Sequence, residues 1–176
     1  MPSVVELDVL SSEWAAELLR SCCGAARWVE GMVVRRPFLR MTALLTAADD
    51  LWWSLQPSDW LDAFAHHPRI GESRSAAAQS VRARDWSSSE QSGLAAADAV
   101  VRQQLAEANV AYDARFGYIC IICAAGKSAG ELLAITRSRL ANAPDVELRM
   151  AAEEQRKITR LRLEKLFHDE TGAARE

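Results

Sequence analysis

The sequence predicts an all-α protein, a multi-helix bundle in a single domain. Apolar residues recur at the three- and four-residue spacing of amphipathic helices along nearly the whole chain. Two Ser-x-x-Glu sequences, at 87–90 and 128–131, match the capping box that opens a helix. Only Tyr118–Ala125 has the β-branched content of a strand, and no second segment offers it a partner. Together these observations favour helices packed on helices.

Three helical elements are predicted before residue 66. The first carries an apolar stripe of Trp14, Leu18, Leu19 and Cys22, and the second a stripe of Leu44, Leu45, Ala48, Leu51, Trp52 and Leu55. Between them Arg35-Arg36-Pro37-Phe38 interrupts the pattern. Pro37 is expected to open the second helix, because proline is favoured in a first helical turn. The third element covers Trp60–Ala65.

The stretch Ala65–Glu72 gathers chemically active side chains in one turn. Pro68 disfavours helical geometry at His67 and removes a backbone donor, so the helix should end there. Pro68–Gly71 suits a type I turn. Residues 72–85 then lose helical periodicity and include three arginines, which indicates a long surface loop of the kind that is often functional.

The second half of the chain is predicted to hold three more helices. They run from about Ser88 to Ala108, from the capping box at Ser128 to about Leu140, and from Asp145 to about Phe167, with Asn142-Ala143-Pro144 as the break before the last. Asn109–Gly117 is expected to be a connector. Tyr118–Ala125 is expected to be a buried piece that is partly extended or helical.

Composition indicates an ordinary one-domain protein. The chain has 176 residues, 49% of them hydrophobic and 26% charged, which suffices for a core of its own. A net charge of −3 gives no general attraction to nucleic acid or to an anionic membrane. No apolar stretch approaches the ~20 residues that span a bilayer, and no signal peptide or peroxisomal tripeptide is recognisable. We therefore expect a cytoplasmic protein whose single domain covers residues 1–176.

The four cysteines are expected to be reduced and buried rather than metal ligands. Cys120 and Cys123 have the spacing of a redox or zinc pair but lie in an apolar run. Cys22 and Cys23 are adjacent, so on a helix their side chains point about 100° apart and would chelate poorly together. No metal site is predicted, and no phosphate loop, nucleophile elbow or dinucleotide fingerprint indicates a cofactor.

His67 is the first candidate for acid–base chemistry, because imidazole titrates near neutral pH. Pro68 fixes its approach, and Arg69 beside it offers a clamp for an anion. His66 should point elsewhere, since neighbouring residues of a helix do not share a face. A lone histidine at a helix end is also commonly structural, so both interpretations stay open on the residues alone.

The helix start at Ser87–Gln91 is the second candidate. A capping box explains Ser87 and Glu90 without any substrate. The free N–H groups and the positive dipole end of a helix also form an anion site. The side chains of this segment would add donors and acceptors for a small polar heterocycle.

Several motifs in a fixed order resemble the OHCU decarboxylase family. OHCU is 2-oxo-4-hydroxy-4-carboxy-5-ureidoimidazoline, an intermediate in urate degradation. The motifs are His67-Pro68-Arg69-Ile70-Gly71, Trp86-Ser87-x-x-Glu90-Gln91-x-Gly93, Asn109-x-x-Tyr112-x-x-x-Phe116-Gly117, Gly126-Lys127-Ser128 and Arg139-Leu140-x-Asn142. The resemblance covers about residues 10–167, and the combination of motifs is far more specific than any one of them.

The resemblance implies an all-helical homodimer that decarboxylates OHCU to S-allantoin without a cofactor, which makes it a carboxy-lyase with a small-molecule substrate. By motif, His67 matches the catalytic acid–base residue and Glu90 its supporting carboxylate. The implied substrate-binding residues are Pro68, Arg69, Ser87, Ser88, Ser89, Gln91, Ile121, Ile122, Cys123, Ala124, Ala125 and Lys127.

One position departs from the family pattern. Many members carry an arginine where this chain has Ala125, so the anion-binding role would pass to Lys127, Arg69 or an arginine of the 72–85 loop. On the residues alone, two other classes stay open. One is a helical regulatory or interaction module in which the histidine turn is only structural. The other is a metal-dependent hydrolase that uses His66, His67 and distant carboxylates.

Overall fold

The computed structural model describes residues 2–69, 85–86 and 98–168. In these ranges the chain forms α1 (Val4–Val9), α2 (Ser12–Cys22), α3 (Ala26–Val34), α4 (Met41–Ser54), α5 (Pro57–Ala65), α6 (Ala99–Phe116), α7 (Ala129–Arg139) and α8 (Pro144–Leu166). The β pairing found in the described part is one isolated parallel bridge between Ser3 and His168. The all-α prediction is therefore confirmed. No described helix is long and apolar enough to cross a membrane.

Local sequence explains where most of these helices begin. Ser3 and Ser128 form capping boxes with Glu6 and Glu131, so side chains satisfy the first free N–H groups of α1 and α7. α5 and α8 each have a proline in the first turn, where its missing N–H costs nothing. α6 ends at Gly117, whose φ of 78° is a left-handed conformation that glycine adopts without strain.

The first half matches the sequence predictions except near Pro37. α2 and α4 contain the predicted apolar stripes except that Trp14 is exposed and Leu55 is the C-cap after α4. α5 contains the predicted third element, while α1 and α3 are additional helices. Pro37 does not open a helix, because α4 begins only at Met41. The Asp8 carboxylate accepts the backbone N–H groups of Phe38 and Leu39, at 2.9 and 2.7 Å, and so holds this segment in an irregular conformation.

The predicted connector at Asn109–Gly117 is wrong, because α6 continues through it to Phe116. Asn109 and Tyr112 lie on the buried side of this helix. Asparagine and tyrosine are only modest helix formers, and tertiary packing overrides such weak preferences. The predicted start at Ser88 is also wrong for this helix, because Asp98 accepts the Val100 N–H at 3.1 Å as the N-cap and α6 begins at Ala99. The capping box at 87–90 and the loop at 72–85 fall outside the described residues, apart from Asp85.

The segment Tyr118–Ala125 is irregular and partly extended, as predicted, and the last two helices begin and end within one residue or so of expectation. Because no strand pairs with this segment in the described part of the chain, its backbone polar groups need other partners.

The core has two apolar clusters. The larger one joins α1 to α5 with α8 around Trp28, Trp52 and Phe64. The smaller one joins α6, α7 and the Tyr118–Ala125 segment around Leu105, Tyr112 and Leu132. Ile121 belongs to the larger cluster while Cys120 and Ile122 belong to the smaller, so the extended segment lies between the two.

A buried charged network joins α6, α7 and α8. Arg139 Nε donates to Glu147 Oε1 at 2.7 Å, and the Tyr112 hydroxyl donates to the same carboxylate oxygen. Asn142 Nδ2 donates to Oε2 at 2.7 Å. Tyr112, Arg139 and Glu147 are all buried. The carboxylate thus exchanges water for three protein donors, as a buried charge must.

This network predicts a large stability loss for Glu147→Gln. The change leaves the Arg139 guanidinium buried without a counter-charge, which costs about 3–5 kcal/mol. Urea unfolding at pH 7 measures it. Glu153→Gln is the matched control, since Glu153 pairs with Arg156 at 2.8 Å on the protein surface and such pairs contribute at most about 1 kcal/mol. Equal losses in the two variants would contradict the assignment.

Candidate active site

His67 lies just beyond the end of α5. The helix ends at Ala65, and the His67 N–H donates to the Phe64 carbonyl at 3.1 Å in a closing turn. His67 and Pro68 are half-buried. Ile70 and Gly71 are outside the described residues, so the predicted type I turn stays a prediction. The helix end places the imidazole on a stiff junction, as the sequence indicates.

The ring of His66 is held by different contacts. Its Nδ1 lies 2.8 Å from the Asp62 carbonyl oxygen. Gly24 packs so tightly on it that a Cβ at that position would stand 2.4 Å from the His66 Cγ. Only glycine fits there. The two adjacent histidines therefore have different surroundings, and His66 is committed to the packing of α5 against the start of α3.

A polar face of α8 lies against His67. Gln155, Thr159 and Arg162 are all buried and stand at i, i+4 and i+7, which is one face of the helix. The positive charge of Arg162 acts on His67 and also on the Cys23 thiol before α3. A buried guanidinium beside an imidazole is a suitable place for an anionic group of a ligand.

These surroundings keep His67 uncharged. Burial, assisted by the charge of Arg162, lowers the pKa of His67 to about 3, while its contact with Gln155 opposes the change. The residue keeps some exposed surface, but the ring is packed closely enough for burial to be the largest cause. A neutral imidazole can accept a proton from one partner and later return it to another.

The segment Tyr118–Ala125 is fixed by charged side chains instead of by strand pairing. Arg139 Nη1 donates to the Ile121 carbonyl at 2.6 Å. The Cys123 N–H donates to Glu154 Oε2 at 2.8 Å, and Lys127 Nζ donates to the Cys123 carbonyl at 2.7 Å. Among the predicted binding residues, Ile121, Ile122 and Ala124 are buried, Cys123 is half-buried and Ala125 is exposed.

α8 is the element that both parts of the site share. Glu154 holds the amide of Cys123, and the next residue, Gln155, contacts His67. On the other side of His67, Arg69 forms an ion pair with Asp113 of α6. The histidine turn is therefore tied to α6 and to α8.

Several predicted site residues fall outside the described part of the chain. These are Ser87, Ser88, Ser89, Glu90 and Gln91. Sequence reasoning in turn missed Gln155, Thr159 and Arg162 as site residues. The available signal was their spacing, since three polar residues recur on the face of the last helix where apolar residues were expected.

The thiols do not form a reactive or metal-binding centre in the described residues. Burial raises the pKa of Cys23 and of Cys120 to about 11, so both stay protonated at neutral pH. Within residues 2–69, 85–86 and 98–168, no group of three or more His, Cys, Asp or Glu side chains is placed to hold a metal ion.

The fold and site define an all-helical protein that presents a neutral histidine beside a buried guanidinium. The family model described as OHCU decarboxylase matches residues 8–164. The chain belongs to the OHCU decarboxylase family.

Relatives and solved structures agree with this family. The chain is 38% identical over 170 residues to the uric acid degradation bifunctional protein TTL of Arabidopsis thaliana, covering 97% of this chain and 51% of that protein. It is 24% identical over 172 residues to the uric acid degradation bifunctional protein of Bacillus sp. (strain TB-90), covering 96% of this chain and 33% of that one. The chain thus spans about half the length of the first relative and about a third of the second.

Two crystal structures share the fold. One, of OHCU decarboxylase in the presence of (S)-allantoin, has a TM-score of 0.73 and 38% identity, covering 89% of this chain and 98% of that chain. The other, of (S)-allantoin synthase, has a TM-score of 0.69 at 16% identity, covering 94% and 54%. The second likeness concerns the fold alone.

The lowered pKa of His67 predicts that stability falls as the pH falls from about 6.5 to about 3. In this window the unfolded chain binds a proton at the histidine and the folded chain does not, so acid favours unfolding. The measurement is the free energy of unfolding in urea at pH 7 and pH 4. His67→Asn should lose less stability over this range than the wild type. Equal losses of unfolding free energy in the two proteins, or a His67 ring that titrates near pH 6.5 by NMR, would contradict the expectation.

Proposed function

We propose that this protein decarboxylates 2-oxo-4-hydroxy-4-carboxy-5-ureidoimidazoline to S-allantoin. The observation that carries the proposal is the likeness, at 38% identity over nearly the whole of that chain, to an OHCU decarboxylase crystallised with (S)-allantoin. The neutral His67 beside Arg162 supports it, because the substrate is an anion whose reaction requires a proton to move.

The structure of the substrate determines which bonds must break and form at the site. The bond from the hydroxyl-bearing ring carbon to the carboxylate breaks, CO2 leaves, and the electron pair forms a double bond to the ureido-bearing carbon. That carbon's ring imine takes up the displaced pair at nitrogen and is protonated. The hydroxyl proton is taken as the bond to the carboxylate breaks, and the resulting enolate becomes a carbonyl when the ureido-bearing carbon gains that proton on one face. The ring itself delocalises the electron pair, so the proposed reaction uses no cofactor.

His67 is the residue we assign to the proton transfer. Because its imidazole is neutral at physiological pH, it takes the hydroxyl proton and delivers it to the ring carbon. Pro68 lines the same turn. A single histidine on one side of the ring explains why one stereoisomer of allantoin would form.

Arg162 is the residue we propose for the substrate carboxylate, a task that the family pattern leaves open at Ala125. Its guanidinium is buried next to His67, where a charge-assisted hydrogen bond is strong. We assign Arg69 and Lys127 a supporting role, in which they add positive potential and hold the walls of the site through Asp113 and the Cys123 carbonyl.

The remaining assignments follow the family resemblance. Ser87, Ser88, Ser89 and Gln91 supply polar groups to the substrate, with Glu90 as the carboxylate that orients it. Ile121 to Ala125 hold the ring through backbone groups and apolar surface. The partial burial of that segment and its three charged anchors support this assignment.

We also propose a cytoplasmic homodimer. Three apolar side chains at the end of α1, at the end of α3 and in the segment after α3 are strongly exposed: Val9, Val34 and Leu39. The Asp8 carboxylate accepts the Leu39 N–H, which brings the segment after α3 to the end of α1. Exposed apolar side chains such as these are suited to burial in an association surface. Nucleic acid and membranes are not among the proposed partners.

The central prediction concerns His67→Asn. OHCU is generated in place from urate with urate oxidase and hydroxyisourate hydrolase, and circular dichroism follows the appearance of S-allantoin. We expect the variant to lose about 10²–10⁴-fold in kcat, the usual contribution of a positioned acid–base group. His168→Asn is the matched control, because His168 is exposed and its backbone N–H and carbonyl bond Pro2 and Val4, away from His67. A His67→Asn variant whose kcat equals that of the control would contradict the proton-transfer role.

Glu90→Gln separates a substrate role from a capping role. The amide keeps the shape and the capping bond but removes the charge. If Glu90 orients the substrate, kcat should fall at least about tenfold with the melting temperature nearly unchanged. If the melting temperature falls while kcat keeps its wild-type value, Glu90 serves only as part of the helix cap.

A further inference from the structure

Gln155 is an unusual residue for the interior of this protein. It is completely buried on α8, and its Nε2 donates to the Thr159 hydroxyl at 3.1 Å. Within the described part of the chain, its other polar atom, the carbonyl oxygen Oε1, makes no hydrogen bond of normal distance and angle. A leucine or methionine of similar volume would fill the same space without burying an unsatisfied acceptor.

The surroundings of Gln155 indicate what this acceptor faces. Thr159 binds the amide nitrogen, and this bond orients the carboxamide with its oxygen on the other side. The side chain contacts the His67 imidazole there, where it favours a proton on the ring. The other charged or titratable groups acting on that ring are Arg162, also on α8, and His66. Both oppose ring protonation, and Gln155 alone of these three neighbours favours it, as an acceptor of a ring N–H does.

We propose that Gln155 is a positioning residue for His67: its carbonyl oxygen accepts the ring N–H that faces α8, which selects one tautomer and leaves the other ring nitrogen free for the substrate. The inference rests on the proposed function of His67. Hydrogen bonds of catalytic groups commonly tighten when the substrate is bound.

The selected tautomer matters because a neutral imidazole has one donor and one acceptor nitrogen. A base that takes a hydroxyl proton needs the acceptor nitrogen on the substrate side. Arg162 cannot enforce this arrangement, since a guanidinium has no acceptor. A carboxylate in place of Gln155 would hold the N–H as well, but it would raise the proton affinity of the ring and neutralise the field of Arg162. A carboxamide fixes the tautomer without adding charge.

The first test is the ring of His67 itself, in the full-length protein without substrate. Two-dimensional 1H–15N NMR at neutral pH should show a single neutral tautomer in the wild type. Gln155→Leu should give a mixture of both tautomers or the opposite one. A wild-type ring that already exchanges between tautomers overturns the proposal without any variant.

The second test is the split between stability and turnover. Because Gln155→Leu fills the same space but leaves the His67 ring N–H without its acceptor, the melting temperature should fall only as far as the loss of one buried hydrogen bond requires, while kcat falls about tenfold or more and KM changes little. Gln103→Leu on the exposed side of α6 is the matched control and should keep full activity. A Gln155→Leu enzyme with wild-type kcat and one tautomer refutes the positioning role.

Gln155→Glu is the complementary variant and protects the test if the leucine variant does not fold. It keeps an acceptor in place, so a single tautomer should persist, and the added charge should move the acidic limb of the kcat/KM profile upward by about one pH unit or more. If the acidic limb of the Gln155→Glu profile coincides with that of the wild type, the side chain at position 155 does not contact the His67 ring. If the wild type fails to turn over OHCU, the proposed function fails, whereas the NMR result still decides the role of Gln155.

Discussion

The buried ion pair between Arg139 and Glu147 is the constraint on which the site depends. It draws α7 to α8, and the Tyr112 hydroxyl brings in α6. The same guanidinium reaches the Ile121 carbonyl. An extended segment without a neighbouring strand must find side-chain partners for its buried backbone groups. Here charged side chains from α7 and α8, with Lys127, supply them, so the geometry of Tyr118–Ala125 is set by the pair that holds the last helices together.

α8 has a second task that conflicts with ordinary packing. A helix covered on its inner side by α2, α4 and α5 should be apolar there, yet Gln155, Thr159 and Arg162 lie buried on it. Polar groups inside a protein cost free energy unless they are paired. Their grouping beside His67, and not their number, indicates function, because sites concentrate the groups that packing alone would exclude.

The sequence predicts the helical class, the end of α5 before His67 and the limits of the last two helices, because these depend on local signals. The apolar spacing of α4, the capping box at Ser128 and the proline after His67 act within a few residues of themselves. The errors arise where distant contacts decide. Asp8 holds the chain after Pro37 away from a helix, and the packing of Tyr112 extends α6. Arg162 is one charge among many in the last helix, and only the fold places it next to His67.

The position of Arg162 also explains how one imidazole can first accept and then release a proton in the proposed reaction. Its field and the burial of the ring keep His67 neutral. A substrate carboxylate bound at the guanidinium would offset that field, which raises the proton affinity of the ring while the hydroxyl proton is being taken. Loss of CO2 removes the carboxylate, and the field of Arg162 acts on His67 again. The ring then holds its proton less tightly at the stage when the carbon needs it. One buried cation would thus bind the leaving group and time the proton transfer, provided that Gln155 keeps the imidazole in a single orientation.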